Sequence, residues 1–183
     1  MEPNRRLISI IAMIILLLGK AYAQERSIGS SWSFSGMGVS YEHPMKQDTF
    51  LHVGAQVEMT EMFLGRTTKA GGSFSFTYND VLRRMTSRNG NNICIFAGAG
   101  AALGYSKDCR LRRTQPTYHG CFFGLKGRAG IRIEYNRKIN ITAAVAPVLG
   151  MHLSVKDETV MMRYYRYGLL QTLMPELTVG YRF

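Results

Sequence analysis

The sequence predicts an all-β protein: a single antiparallel transmembrane β-barrel of nominally eight strands with a polar, ion-paired lumen. Three observations lead there. Segment after segment alternates apolar and polar residues, the period of a strand with two unlike faces. In Cys121 to Tyr135, the odd positions are apolar or small apart from Tyr135, while Lys126, Arg128, Arg132 and Glu134 fall on even positions. Finally, the chain opens on an export-type segment and closes on an aromatic residue, Phe183. Apolar faces toward lipid and charged faces toward the interior are the pattern of a membrane barrel.

At the N-terminus, Arg5 and Arg6 precede an apolar run from Leu7 to Leu18, interrupted only by Ser9, and Ala21-Tyr22-Ala23 is a small-x-small cleavage site. This reads as a secretory signal peptide over 1–23, leaving a barrel at 24–183. A transmembrane helix is the competing reading. The run is too short to cross about 30 Å of hydrocarbon, and Lys20 ends it. No cysteine follows the cleavage site, so a lipoprotein anchor is not expected.

Seven segments then alternate clearly, at about 32–42, 49–62, 71–82, 93–106, 120–135, 139–154 and 169–183. Turn-forming residues separate them: His43-Pro44, Gly65 to Gly72, Asn89-Gly90-Asn91-Asn92 and Asn136-Arg137-Lys138. Val53, Phe76, Leu103, Ile131, Ile141 and Val179 belong to outward faces, and His52, Thr77, Asn79, Thr142 and Thr178 to inward ones. Tyr105, Tyr135, Tyr181 and Phe183 lie near strand ends, where an aromatic girdle sits. Termini at the periplasmic side require an even strand count. The segment from Gln24 to Ser31 must then supply a short first strand or climb through the lumen. This arrangement makes 107–119 and 155–168 outer loops and 43–48 and 136–138 periplasmic turns.

The inward face of 93–106 is Gly98, Gly100, Ala102 and Gly104. Small residues there leave room for long ones opposite, as in a small barrel whose side chains fill the lumen. Buried charges need partners, so Glu58, Glu134 and Glu176 are expected to pair with Lys126, Arg128, Arg132 and Arg182, with Glu42 as a further acid. Such pairing is first a structural device.

The chain has 23 Lys and Arg against 12 Asp and Glu, a net charge of +11. The export segment holds Arg5, Arg6 and Lys20 against Glu2, which leaves +9 on the remainder. Many of these cations fall in expected connections: Arg83, Arg84 and Arg88, then Lys107, Arg110, Arg112 and Arg113, then Arg163 and Arg166. With no nucleic-acid-binding motif present, lipopolysaccharide phosphate is a closer acidic partner than nucleic acid. The run Met161-Met162-Arg163-Tyr164-Tyr165-Arg166-Tyr167 has the composition of a recognition surface. A membrane-interface belt collects the same residues. Cys109 and Cys121 bracket the connection that contains Pro116 and are placed to close it by a disulfide, leaving Cys94 unpaired. The sequence has no C-x-x-C motif and no His/Cys cluster, so neither a metal nor a cofactor is expected.

Ile95-Phe96-Ala97-Gly98-Ala99-Gly100, the strand from Gly124 to Glu134 and the ending Gly180-Tyr181-Arg182-Phe183 resemble small outer-membrane β-barrels of Bacteroides-type bacteria, of the OmpX and OmpA-barrel kind. Over about 93–183 the layout is similar to that of the conjugative-transposon TraO family. The resemblance implies residence in the bacterial outer membrane, contact with its lipid, and recognition of Phe183 by the assembly machinery.

The leading functional expectation is a non-enzymatic barrel with a structural or surface-recognition role, whose partners are lipopolysaccharide or another envelope protein. The alternative is a lipid A acyl hydrolase built on His152 and Ser154 with Glu158 as the acid, since a histidine can activate a serine. Parity assigns His152 and Ser154 to the lumen, whereas such an enzyme needs them facing acyl chains. A porin is disfavoured because eight strands enclose only side chains. A soluble ligand-binding barrel would carry its apolar face inside.

Overall fold

The computed structural model describes residues 26–33, 36–59, 70–87, 90–108, 118–136, 138–156, 159–170 and 175–183. The chain is an antiparallel, closed eight-stranded barrel. Its first six strands are β1 (Ser27–Ser33), β2 (Gly36–Lys46), β3 (Thr49–Glu58), β4 (Gly71–Thr86), β5 (Asn92–Lys107) and β6 (His119–Tyr135). The seventh is one strand in two parts, β7 (Ile139–Val145) and β8 (Val148–Lys156). Pro147 lies between them and has no N–H to give to the ladder, yet both parts stay in register with β6. The eighth is also divided: β9 (Thr159–Tyr164) pairs with β8, a short helix α1 (Arg166–Leu170) follows, and β10 (Glu176–Arg182) pairs with β7 and β1. Pairing of β5 with β6 and of β1 with β10 closes the ring. No helix among the described residues is long and apolar enough to cross a membrane.

The first described residue, Arg26, and Phe183 lie at one mouth, where they exchange backbone hydrogen bonds. The turn at 47–48 and the strand ends flanking 88–89 and 137 share that mouth. Beside the last of these, Asn136 adopts φ 49°, a left-handed conformation that asparagine tolerates better than most residues. The ends of β3, β4, β5 and β6 that flank 60–69 and 109–117 lie at the other mouth, and those two segments are outside the described residues.

Side-chain parity is read out directly by the wall. Ile131 is 49 % exposed and Leu125 70 %, whereas Arg128, between them on β6, is 1 % exposed. Val39, Phe74, Phe76, Leu103, Ile141 and Val179 continue the outward apolar surface around the barrel. Tyr135, Tyr181 and Phe183 ring the mouth that carries the termini, and Trp32, Tyr105 and Tyr164 project outward near the other.

Three expectations about elements are corrected. His43-Pro44 does not turn the chain. β2 runs on to Lys46, with a register shift after Pro44, where the missing N–H breaks the ladder without ending the strand. β4 likewise continues to Thr86, so Arg83 and Arg84 lie on a strand. A bulge between Val81 and Arg83 turns Val81 inward. The expected loop at 155–168 is mostly the β8–β9 hairpin followed by α1, and the strand expected from 169 begins only at Glu176. Of the two readings of the first segment, the short strand is the one found: Ser27–Ser33, hydrogen-bonded on both sides.

Candidate functional site

The chemistry of the barrel is concentrated in its lumen, and β6 serves as a ruler along it. Glu134 stands nearest the mouth that carries the termini. Arg182 donates to its carboxylate, and Asn92 Nδ2 donates to its Oε2 at 3.2 Å. Two residues further, Arg132 Nη2 lies 2.7 Å from Glu42 Oε2. Its guanidinium rests 3.9 Å from the Phe50 ring centre and 5.8 Å from that of Phe96, a geometry in which the ring faces attract the cation.

Arg128 occupies the centre, with no side-chain surface exposed. It bridges Glu42 at 3.7 Å and Glu176 at 3.4 Å. Gln56 and Thr178 donate to Glu176 at 3.3 Å each, and Ser27 donates to Glu42 at 3.2 Å. His52 is buried between the same two acids, 3.8 Å from Glu42 and 4.0 Å from Glu176. Five of the eight strands thus contribute to one polar cluster. Removing one partner of a buried pair typically costs about 3–5 kcal/mol, because the other charge is then stranded.

Above the centre the pairing changes character. Lys126 Nζ donates to Ser75 Oγ at 3.0 Å, and Ser73 Oγ donates to Glu58 Oε1 at 3.0 Å. Neither Lys126 nor Glu58 forms an ion pair among the described residues. The lumen ion pairs therefore join Arg128, Arg132 and Arg182 to Glu176, Glu42 and Glu134. Glu42, which sequence reasoning ranked only as a further acid, is a hub shared by two arginines. Its even position on a strand whose odd residues Val39 and Tyr41 face outward was the available signal.

Near the second mouth the filling becomes aromatic. Phe122 and Tyr165 stack with ring centres 4.3 Å apart at 6°. His152 stacks on Tyr165 at 6.1 Å, and Tyr167 meets it edge-on at 6.3 Å. A Cβ on Gly104 would come within 2.6 Å of the Phe122 ring, so glycine at this position lets that ring cross the lumen. Tyr165 was expected on the outer surface with Arg163, Tyr164 and Arg166. It is instead 0 % exposed. After β9 the chain leaves the wall and turns inward, Tyr165 N donates to Gly150 O at 2.8 Å, and Tyr167 N donates to Asp108 Oδ1 at 2.9 Å. Arg163 and Tyr164 do remain exposed, and Arg166 is half-buried.

His152 and Ser154 are buried inside the barrel. His152 Nε2 lies 2.9 Å from the Ser106 carbonyl oxygen, so this nitrogen carries the proton and donates it to the backbone. The pair does not face acyl chains, and Glu158 lies outside the described residues. Arg110, Arg112 and Arg113 lie outside them too, while Lys107 ends β5 half-buried. Cys109 is likewise outside. Cys121 carries a free, exposed thiol on the outward face, and Cys94 is a buried free thiol. No group of His, Cys, Asp and Glu suited to a metal ion occurs among the described residues.

No protein-family model and no curated protein sequence matches the chain. Among solved structures it is similar to the N-terminal β-barrel domain of OprF from Pseudomonas aeruginosa. The identity is 12 %, the TM-score 0.51, and the match covers 87 % of this chain and 96 % of that one. It is also similar to Ail, the attachment invasion locus protein of Yersinia pestis, crystallised with the heparin analogue sucrose octasulfate. There the identity is 16 %, the TM-score 0.43, and the coverage 87 % of this chain and 97 % of that one. The first similarity identifies the fold as that of a small outer-membrane barrel.

Proposed function

We propose that the chain is a non-enzymatic barrel of a bacterial outer membrane, exported by residues 1–23 and inserted with the help of Phe183. Its role is structural or surface recognition. The observation that carries this reading is the filled lumen. Arg128, Phe96, Tyr165 and His52 are fully buried along its length, so the interior is committed to holding the wall together rather than to conduction or turnover. The outward apolar surface supports residence in lipid, and the similarity to small outer-membrane barrels supports the choice of membrane. The resemblance over 93–183 extends the proposal to the envelope barrels of Bacteroides-type bacteria and the TraO family.

The recognition surface in this reading is the mouth opposite the termini. Lys107, Arg110, Arg112 and Arg113 would meet lipopolysaccharide phosphates, with which arginine pairs well, while Arg163 and Tyr164 lie exposed near the same rim. Changing Arg110, Arg112 and Arg113 to Ser is expected to reduce lipopolysaccharide retention by the purified protein, and the retention should fall as salt rises. Retention equal to wild type would end the lipopolysaccharide part of the proposal. A freely soluble product on cell fractionation would end the whole of it.

A further inference from the structure

The structure assigns a small-dianion site to the mouth that carries the termini, separate from the basic loops of the other mouth. A cavity of about 310 Å³ opens there, at the lower end of the range for ligand pockets and ample for a phosphate or a short dicarboxylate. Its lining includes Lys46, Arg84, Arg132 and Arg182 against only Asp48 and Glu134, an excess of two cations. Arg182 is paired with Glu134, and Arg84 lies 3.4 Å from Asp48 and donates to Gln47 O at 3.2 Å. Lys46 is exposed and forms no ion pair among the described residues.

Arg132 supplies the inner end of the site. Its side chain is 7 % exposed, and it is held by Glu42 and the Phe50 ring, but its Nε is buried without a hydrogen-bond partner. That nitrogen is closed to solvent, so an anion would meet Arg132 through the part of its side chain that lines the cavity. Among the described residues the acids lining the cavity, Asp48 and Glu134, are both already engaged by arginines, so the remaining positive charge is left for an incoming anion. Phosphate and carboxylate both match the guanidinium fork, and Lys46 and Arg84 at the rim add attraction that does not depend on ligand shape. The bulge after Pro44 and the turn at 47–48 build this rim, so it does not simply repeat the barrel wall. The inference concerns a soluble solute entering along the barrel axis and holds whichever compartment this mouth faces.

The test is calorimetric titration of the detergent-solubilised chain, in low-salt buffer free of phosphate and sulfate, with inorganic phosphate and with succinate. Saturable single-site binding that weakens with salt is expected for at least one probe. The double variant Lys46→Gln/Arg84→Gln should weaken it about tenfold, the scale of losing a charged hydrogen-bond donor. Thr159→Ala, at the opposite mouth, should leave it unchanged. Preference between the probes identifies the ligand as a phosphate ester or a dicarboxylate. Heat-modifiable gel mobility reports folding, and Lys46→Gln alone replaces the double variant if that mobility is lost. Absence of saturable binding to both probes, or binding indifferent to the rim variants, overturns the site.

Discussion

At the scale of single residues, Glu42 carries more of the fold than its neighbours. It faces Arg132 at 2.7 Å and Arg128 at 3.7 Å, so neutralising it strands two buried guanidinium groups. Glu42→Ala is expected to destabilise the folded barrel by about 3–5 kcal/mol, read as a lowered urea midpoint in gel-shift unfolding. An unchanged midpoint would mean that water or another acid compensates. His152 and Ser154 lead to the opposite expectation. His152 stacks on Tyr165 and donates to Ser106 O inside the wall, out of reach of acyl chains. The double change to Ala should therefore leave lipid A acylation as in wild type. Mass spectrometry of lipid A from wild type, deletion and double mutant decides this. A deacylated species present in wild type and missing from both mutant strains would restore the hydrolase reading.

At the scale of elements, each wall strand is tested by its two faces. Ile131→Arg puts a charge on the outward face of β6, at a cost of about 2–4 kcal/mol near the membrane midplane. Assembly should fall, seen as less heat-modifiable barrel in the membrane fraction, while cysteine at 131 should react with a lipid-soluble label and cysteine at 132 should not. Labelling at 132 alone would reverse the register. These faces were legible because parity is a local property: Lys126, Arg128 and Arg132 stand two or four residues apart among apolar neighbours. The interruption between β9 and β10 was not legible. Between Tyr164 and Glu176 the chain spends eleven residues where the facing strand spends six, from Val145 to Gly150. Alternation gives no count of residues that leave the wall, so Tyr165 and Tyr167 read as surface although they fill the lumen. β1 was obscure for another reason. Ser27 and Ser31 point inward while Ser30 lies on the other face, and serine on both faces removes the contrast that marks a strand.

At the scale of the whole molecule, closure and orientation are separate matters. Closure follows from the pairings of β1 with β10 and β5 with β6, which leave neither seam dependent on a partner chain. Orientation follows from asymmetry between the mouths. Arg26, Phe183, the turn at 47–48 and the strand ends flanking 137 share one mouth, while the strand ends flanking 60–69 and 109–117 lie at the other. If the chain is exported and inserted as proposed, it would arrive from the periplasm with Phe183 meeting the assembly machinery there, so the mouth that carries Arg26 and Phe183 should remain periplasmic and the long connections should face outward. The basic connection near Lys107 would then meet lipopolysaccharide, and the cavity near Lys46 would sample periplasmic solutes. The measurement is membrane-impermeant labelling of a single cysteine in a background lacking Cys94, Cys109 and Cys121. Cysteine at 112 should react on intact cells, and cysteine at 47 only after the outer membrane is opened. The reverse pattern would invert the barrel, remove lipopolysaccharide as the partner of the basic loop, and turn the cavity near Lys46 toward the cell exterior.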